Sequence, residues 1–355
     1  MLFYKIYTNG SGLTNQIFGL ITSIIEAYIK GEKVVIIDGF LNDFSKAKVS
    51  PINEIFNIKS INMYLKKTYD IIIVDKNDIR FEIISVKYGI DTYNNIDLTE
   101  DFIKRFYKNN ILYINKNYSF NDMKGDPYYG KEKKVFLKYK INDNLIDEIY
   151  DEYLKKDIII DFNGSYEFKF GWINNFNDKM FEKILLNLIY NDDFIKKSDS
   201  FIKNINLNNK INIIHLRLEE DAIKHWSKMN NMTQNDFRLY IQNKYINIIK
   251  TYISQSDENI ILTSSMSNDV IDFMKHNNYK YKFANKFFDD REKNAIMDLL
   301  VSKYCNNIYI GNFNIKNLNG STFSYYIGKF VKNDVLKIYI DLDKIINKEE
   351  TTYIY

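Results

Sequence analysis

From Ile211 onward the chain alternates short apolar runs with amphipathic stretches, and no other feature restricts its fold as strongly. Ile211 to Leu218 reads as a strand. Thr233, with Asp236 three residues on, opens a helix close to a capping box. The apolar face of that helix includes Phe237, Tyr240, Ile241, Tyr245, Ile248 and Ile249. A strand at Ile260-Ile261-Leu262 leads through Thr263-Ser264-Ser265 to a helix from about Asn268 to His276. A strand over Tyr279 to Phe283, a helix from Glu292 to Tyr304, a strand at Ile308-Tyr309-Ile310 and a helix starting near Ser321 complete the series. Such alternation predicts a mainly parallel sheet with helices on both faces.

The start of the chain repeats the theme. The apolar run Leu2-Phe3-Tyr4-Lys5-Ile6-Tyr7 precedes Gly10-Ser11-Gly12-Leu13-Thr14-Asn15-Gln16, and a helical stripe follows through Ile17, Leu20, Ile21, Ile24, Ile25 and Tyr28 to Gly31. A second strand, Val34 to Ile37, ends at Asp38. In such a strand–loop–helix–strand unit the loop N–H groups collect at a helix N-terminus, a seat for an anion or polar ligand. The plain alternative is a tight turn without a ligand. The region from Asp91 to Lys203 is mixed, with a strand at Asp157 to Asp161, a helical stripe from Asp178 to Asn191 and a loop from Tyr118 to Lys134. The polar patch Asn204 to Lys210 marks a domain boundary, which gives domains of 1–204 and 205–355.

With 355 residues, 45% of them hydrophobic, the chain has material for two cores. A net charge of +3, with no basic stripe, argues against a nucleic-acid partner. A single cysteine, Cys305, rules out an internal disulfide and fits a reducing, cytoplasmic setting. No apolar run reaches the length of a transmembrane segment, and no leader pattern opens the chain.

Three segments carry candidate chemistry. In Ile213-Ile214-His215-Leu216-Arg217-Leu218-Glu219-Glu220-Asp221, strand alternation puts His215, Arg217 and Glu219 on one face, at the strand's carboxyl end. The planar fork of Arg217 suits a diphosphate, and a structural pair with Glu219 or Asp221 is the alternative. Gly311-Asn312 followed by Gly320-Ser321-Thr322-Phe323-Ser324 offers hydroxyls and N–H groups at a helix start, or ordinary capping. The loop at Gly12, Asn15 and Gln16 is the third. Asp341-Leu342-Asp343 and the scattered His215, His225 and His276 make no recognisable metal constellation.

Taken in order, these segments resemble the fucosyltransferase superfamily of GT-B glycosyltransferases, especially the protein O-fucosyltransferase-like branch. Gly12-Leu13-Thr14-Asn15-Gln16 is similar to its N-terminal loop and His215-Leu216-Arg217 to its H-x-R motif. Asp298-Leu299, Gly311-Asn312 and Ser321 to Ser324 are similar to its late region. The resemblance implies an α/β, GT-B fold with two Rossmann-like domains facing a cleft. It implies inverting transfer of fucose from GDP-fucose to a glycan or protein hydroxyl, with no metal and no cofactor besides the nucleotide-sugar donor. By position, Arg217 would bind the diphosphate and stabilise the leaving group. His215, Ser321, Thr322, Phe323 and Ser324 would lie at the donor, Asp298 at the base or ribose, and Asn15 in the cleft. Glu219 and Asp221 are the candidate bases. Thr14 and Leu218 depart from the pattern, the first where a Gly is frequent and the second where some branches carry another Arg. Two other readings remain: a dinucleotide-dependent oxidoreductase with Asp38 on the ribose, and a non-catalytic glycan- or nucleotide-binding relative.

Overall fold

The structure is a computed structural model that describes residues 1–6, 12–43, 48–109, 111–162, 167–168, 179–284, 287–314, 319–342 and 352–354. Gly10, Ser11 and Asp343 lie outside the described residues. The chain forms two compact units, each assembled from separate stretches of sequence. The first takes Met1–Lys5, Glu26–Asp38 and Leu65–Phe168, and the second takes Ile6–Ile25, Gly39–Tyr64 and Lys169–Tyr355.

The second unit is built on a six-stranded sheet. Its strands are β1 (Ile211–His215), β2 (Glu258–Leu262), β3 (Tyr281–Phe283), β4 (Ile308–Gly311), β5 (Leu336–Ile340) and β6 (Thr352–Ile354). They run side by side in the order β3-β2-β1-β4-β5-β6. All neighbours are parallel except β6, which runs antiparallel to β5. This is the doubly wound order, with the reversal of direction between β1 and β4. The α/β class expected from the alternation is what the chain forms.

The helices of this unit include α1 (Leu13–Lys30, its start belonging to this unit), α2 (Glu220–Met229), α3 (Gln234–Tyr252), α4 (Asp269–His276), α5 (Arg291–Ser302) and α6 (Thr322–Phe330). Their starts follow capping chemistry. Thr233 accepts from Asp236 N–H at 3.1 Å and donates its hydroxyl to the Asp236 carboxylate at 2.6 Å, a side-chain N-cap with half of the capping box. Asn268, Asp290 and Ser321 cap α4, α5 and α6 through their side chains. Leu216, Leu218, Ile223, Phe237, Ile241, Ile261, Ile310 and Ile338 form one buried cluster around the sheet. Each such side chain contributes on the order of 1.5–3 kcal/mol by leaving water. Phe18 on α1 meets Phe181 and Tyr326 edge-on, at 5.2 and 6.2 Å between ring centres.

The first unit has a four-stranded parallel sheet ordered Glu167–Phe168, Leu2–Lys5, Val34–Ile37, Ile72–Asp75. To this it adds antiparallel structure. One such sheet is ordered Asn144–Asp151, Lys134–Ile141, Phe81–Gly89, Asn95–Asp97, and a smaller one pairs Ile158–Asp161 with Ile111–Ile114. The strand expected at Asp157 to Asp161 is thus present as an antiparallel element. The Tyr118 to Lys134 stretch is turns plus a single helical turn, Asn121–Lys124. Among the described residues, no helix is long and apolar enough to cross a membrane.

Candidate active site

β1 ends at His215, three residues short of the strand expected from sequence. The chain beyond it keeps the alternation: Leu216 and Leu218 are fully buried, while His215, Arg217 and Glu219 turn to a cavity of about 940 Å³. The cavity lies where ligands bind in doubly wound sheets, past the carboxyl ends of β1, β2 and β4 at the switch point. Its wall is drawn entirely from the second unit. The Gly12–Asn15 stretch, the segment after β1, Asp298 on α5 and Gly320 to Phe323 all line it.

The N-terminus of α6 is brought to the cavity by two glycines. Gly320 has φ +119°, and a Cβ there would come 2.9 Å from both the Asn312 carbonyl oxygen and the Phe313 Cα. A Cβ on Gly311 would strike the Tyr309 hydroxyl at 2.4 Å and crowd Ser324 at 3.2 Å. Glycine at both places lets the helix start settle against β4. Ser321 caps the helix by accepting from Ser324 N–H at 3.3 Å. The first-turn N–H groups of Thr322 and Phe323 have no intrahelical acceptor by position, and both residues line the cavity.

Ser324 is buried beneath the wall and acts on His215. Its Oγ accepts from Asn312 N–H at 2.9 Å and lies 2.6 Å from His215 Nδ1. Burial lowers the His215 pKa to about 4; the charge of Glu219 opposes this fall and that of Arg217 adds to it. The ring is neutral at physiological pH, with Phe323 edge-on at 5.2 Å.

Tyr245 holds the turn after β1. Its hydroxyl is 2.7 Å from the His215 carbonyl oxygen and 3.3 Å from Arg217 N–H, and it also touches the Asn312 amide. One hydroxyl has one proton. It goes to one of the two acceptors, the His215 carbonyl or the Asn312 amide oxygen, and Asn312 Nδ2 is buried without a hydrogen-bond partner.

Arg217 donates from Nη1 to Glu219 at 2.9 Å and from Nη2 to Asp221 at 3.1 Å. Glu219 also accepts from Ser264 at 3.0 Å. Burial, the largest single influence, would raise both carboxyls, but the charge of Arg217 together with the other charges and hydrogen bonds around them holds both below their ordinary range. Arg217, opposed by its own burial, is in turn held charged by the two carboxylates. Each carboxylate is a weak base for as long as Arg217 grips it.

The α1 start does not present an open anion seat at Leu13. The Leu13 N–H donates to Glu292, 3 % exposed at the start of α5, at 2.6 Å. Asn15 accepts from the Thr322 hydroxyl at 3.2 Å, tying the glycine loop to α6. Gln16 is wholly buried and does not line the cavity. Thr14 and Asp298, which do, each keep a buried side-chain oxygen without a hydrogen-bond partner. Burial, then the charge of Glu219, drives the Asp298 carboxyl well above its ordinary range. Unpartnered buried oxygens in a cavity wall are costly and mark where a polar ligand would repay them.

Five acidic residues line the cavity (Glu219, Asp221, Asp289, Glu292 and Asp298) against two arginines, Arg217 and Arg291. Arg291 and Glu292 carry no motif in the sequence. They sit in a mixed-charge run that reads as a helix start. His225 and Trp226, edge-on at 4.8 Å, add an aromatic corner. No cluster of three or more metal-ligating side chains occurs among the described residues.

No family model matches the chain, and no curated protein matches its sequence. Among solved structures the chain is similar to POFUT1 in complex with GDP, at 10% identity over 92% of this chain and 93% of that one, with a TM-score of 0.47. It is similar to the NodZ alpha-1,6-fucosyltransferase soaked with GDP-fucose, at 14% identity over 50% of this chain and 52% of that one, with a TM-score of 0.33. Fucosyltransferase NodZ from Bradyrhizobium gives 14% identity over 50% of this chain and 53% of that one, with a TM-score of 0.34.

Proposed function

We propose that this chain is an inverting glycosyltransferase that moves fucose from GDP-fucose to a hydroxyl of a glycan or protein, without a required metal. One observation carries the reading. Segments that begin at Gly12, His215, Asp298 and Gly320 converge on a single cavity at the sheet's switch point. The choice of guanine and fucose rests on the sequence resemblance.

In this reading the diphosphate lies between Arg217 and the α6 N-terminus, where first-turn N–H groups and the helix dipole favour negative charge. Arg217 stabilises the charge that develops on the leaving diphosphate. Asp298 offers its unpartnered oxygen to N–H donors, such as those on the edge of guanine. The acceptor hydroxyl needs a base. Glu219 and Asp221 gain basicity when Arg217 turns from them to the diphosphate, so donor binding would arm the base.

The test begins with binding. Arg217→Ala is expected to weaken GDP by about 2–5 kcal/mol, the cost of a charge-assisted contact whose partner stays in the site. Titration calorimetry of GDP and UDP against both proteins reads this, and equal affinities would make Arg217 purely structural. Release of GDP from GDP-fucose, with and without a chelator, reads turnover. Activity lost to chelation and restored by manganese refutes the metal-free step. Tight GDP binding without turnover on any donor assigns the chain to the non-catalytic reading.

A further inference from the structure

The charges on the cavity wall pose a problem for any anionic ligand. Arg217 is divided between two carboxylates, at 2.9 and 3.1 Å. A diphosphate adds at least two negative charges, and one guanidinium cannot neutralise the phosphates and its own carboxylates together. Arg291 is the other cation on the wall among the described residues.

Its surroundings leave it largely uncommitted. The side chain is 56% exposed, and its Nε is 4.0 Å from Glu292, the outer limit of an ion pair. The other oxygen of Glu292 is engaged by the Leu13 N–H. Asp290, its neighbour in sequence, uses its carboxylate to cap the helix through Glu292 N–H and Lys293 N–H. Arg291 is also the first residue of α5. A cation at a helix N-terminus faces the positive end of the macrodipole, so helix stability gives no reason for it. Its charge does reach across the cavity, where it helps hold down the Asp221 carboxyl.

We infer that Arg291 is a second cationic contact for the diphosphate, sharing with Arg217 the charge of a nucleoside diphosphate bound in this cavity. The inference rests on the nucleotide-sugar reading above and names the residue that makes a carboxylate-rich wall able to hold such a ligand. A planar fork on an exposed stem is suited to this, since it can approach a phosphate oxygen without disturbing buried groups.

Calorimetric titration of GDP, GMP and guanosine into wild type, Arg291→Ala and Arg291→Lys tests it, with urea unfolding of each variant to confirm folding. The expected result is a loss of about tenfold or more in GDP affinity for Arg291→Ala, a smaller loss for GMP, none for guanosine and partial rescue by Lys. GDP affinity unchanged in Arg291→Ala overturns the inference and leaves the nucleotide-sugar reading standing. An equal loss for guanosine also overturns it, because the effect would then be one of cavity shape. A wild type that binds GDP no better than guanosine removes the nucleotide-sugar reading itself, and the inference with it.

Discussion

Asp298 keeps one carboxylate oxygen buried and unpartnered, and the empty protein bears the cost. Burial and Glu219 raise its carboxyl above the ordinary 3.8. A carboxyl raised on folding holds its proton longer in the native state, so stability falls as pH rises above about 4. Asp298→Asn removes that penalty. We expect it to stabilise the unliganded protein by about 1–3 kcal/mol near pH 7, with the gain fading toward pH 4, and to weaken GDP binding. Urea unfolding of both proteins at pH 4, 6 and 8 measures the first effect, and a gain over wild type no larger at pH 8 than at pH 4 would contradict it. At this scale the sequence was partly readable. Arg217, Thr322 and Asp298 stand in motifs, and all three reach the cavity. Glu292 was not readable, because its partner Leu13 is 279 positions away in the chain and no local pattern records that bond. Gln16 and Ser324, read from sequence as cleft and donor-site residues, instead point inward, the first into the core and the second under His215.

Among the elements, α6 depends most on single residues. Its first turn reaches the cavity because Gly320 takes φ +119° and Gly311 leaves room for Ser324. Gly320→Ala is therefore expected to destabilise the protein by roughly 1–3 kcal/mol through backbone strain. Because the shift falls on the helix start, nucleotide affinity should fall as well. Unfolding curves together with GDP titration check both, and a variant with wild-type stability would show that the turn accommodates a Cβ. The parallel strands and capped helices of the second unit were legible, since burial on both faces gives unbroken apolar runs and caps use a few residue types. The Lys134–Ile141 and Asn144–Asp151 hairpin was passed over. Val135, Leu137, Tyr139 and Ile141 alternate inward along it, and Asn142 takes φ +55° at the turn. Lysines between the apolar residues give it a polar face, so it lacks the apolar run of the other strands.

At the scale of the molecule, the second unit gathers Ile6–Ile25 and Gly39–Tyr64 with the late chain. Phe18 then lies against Tyr326, and Leu13 against Glu292. A fragment of residues 205–355 would uncover Tyr326 and leave Glu292 without its N–H donor. We expect it to lack cooperative unfolding and to bind no GDP, and a sharp thermal transition in the fragment would refute this. Alternation along a sequence tells which elements form. It does not tell which early helix will cover which late strand, because that is decided by packing across hundreds of residues.

The carboxylate-rich wall also bears on kinetics. Cationic clefts draw anions in from a distance, and their capture rates fall steeply as salt screens the field. Here the carboxylates of Glu219, Asp221, Asp289 and Glu292 outnumber the two arginines even with the raised Asp298 carboxyl set aside, so an approaching nucleotide meets little attraction until it touches Arg217 or Arg291. Its arrival rate, followed by stopped-flow tryptophan fluorescence with Trp172→Phe isolating the Trp226 signal, should hold steady or rise as salt is added, with recognition residing in how slowly the ligand leaves.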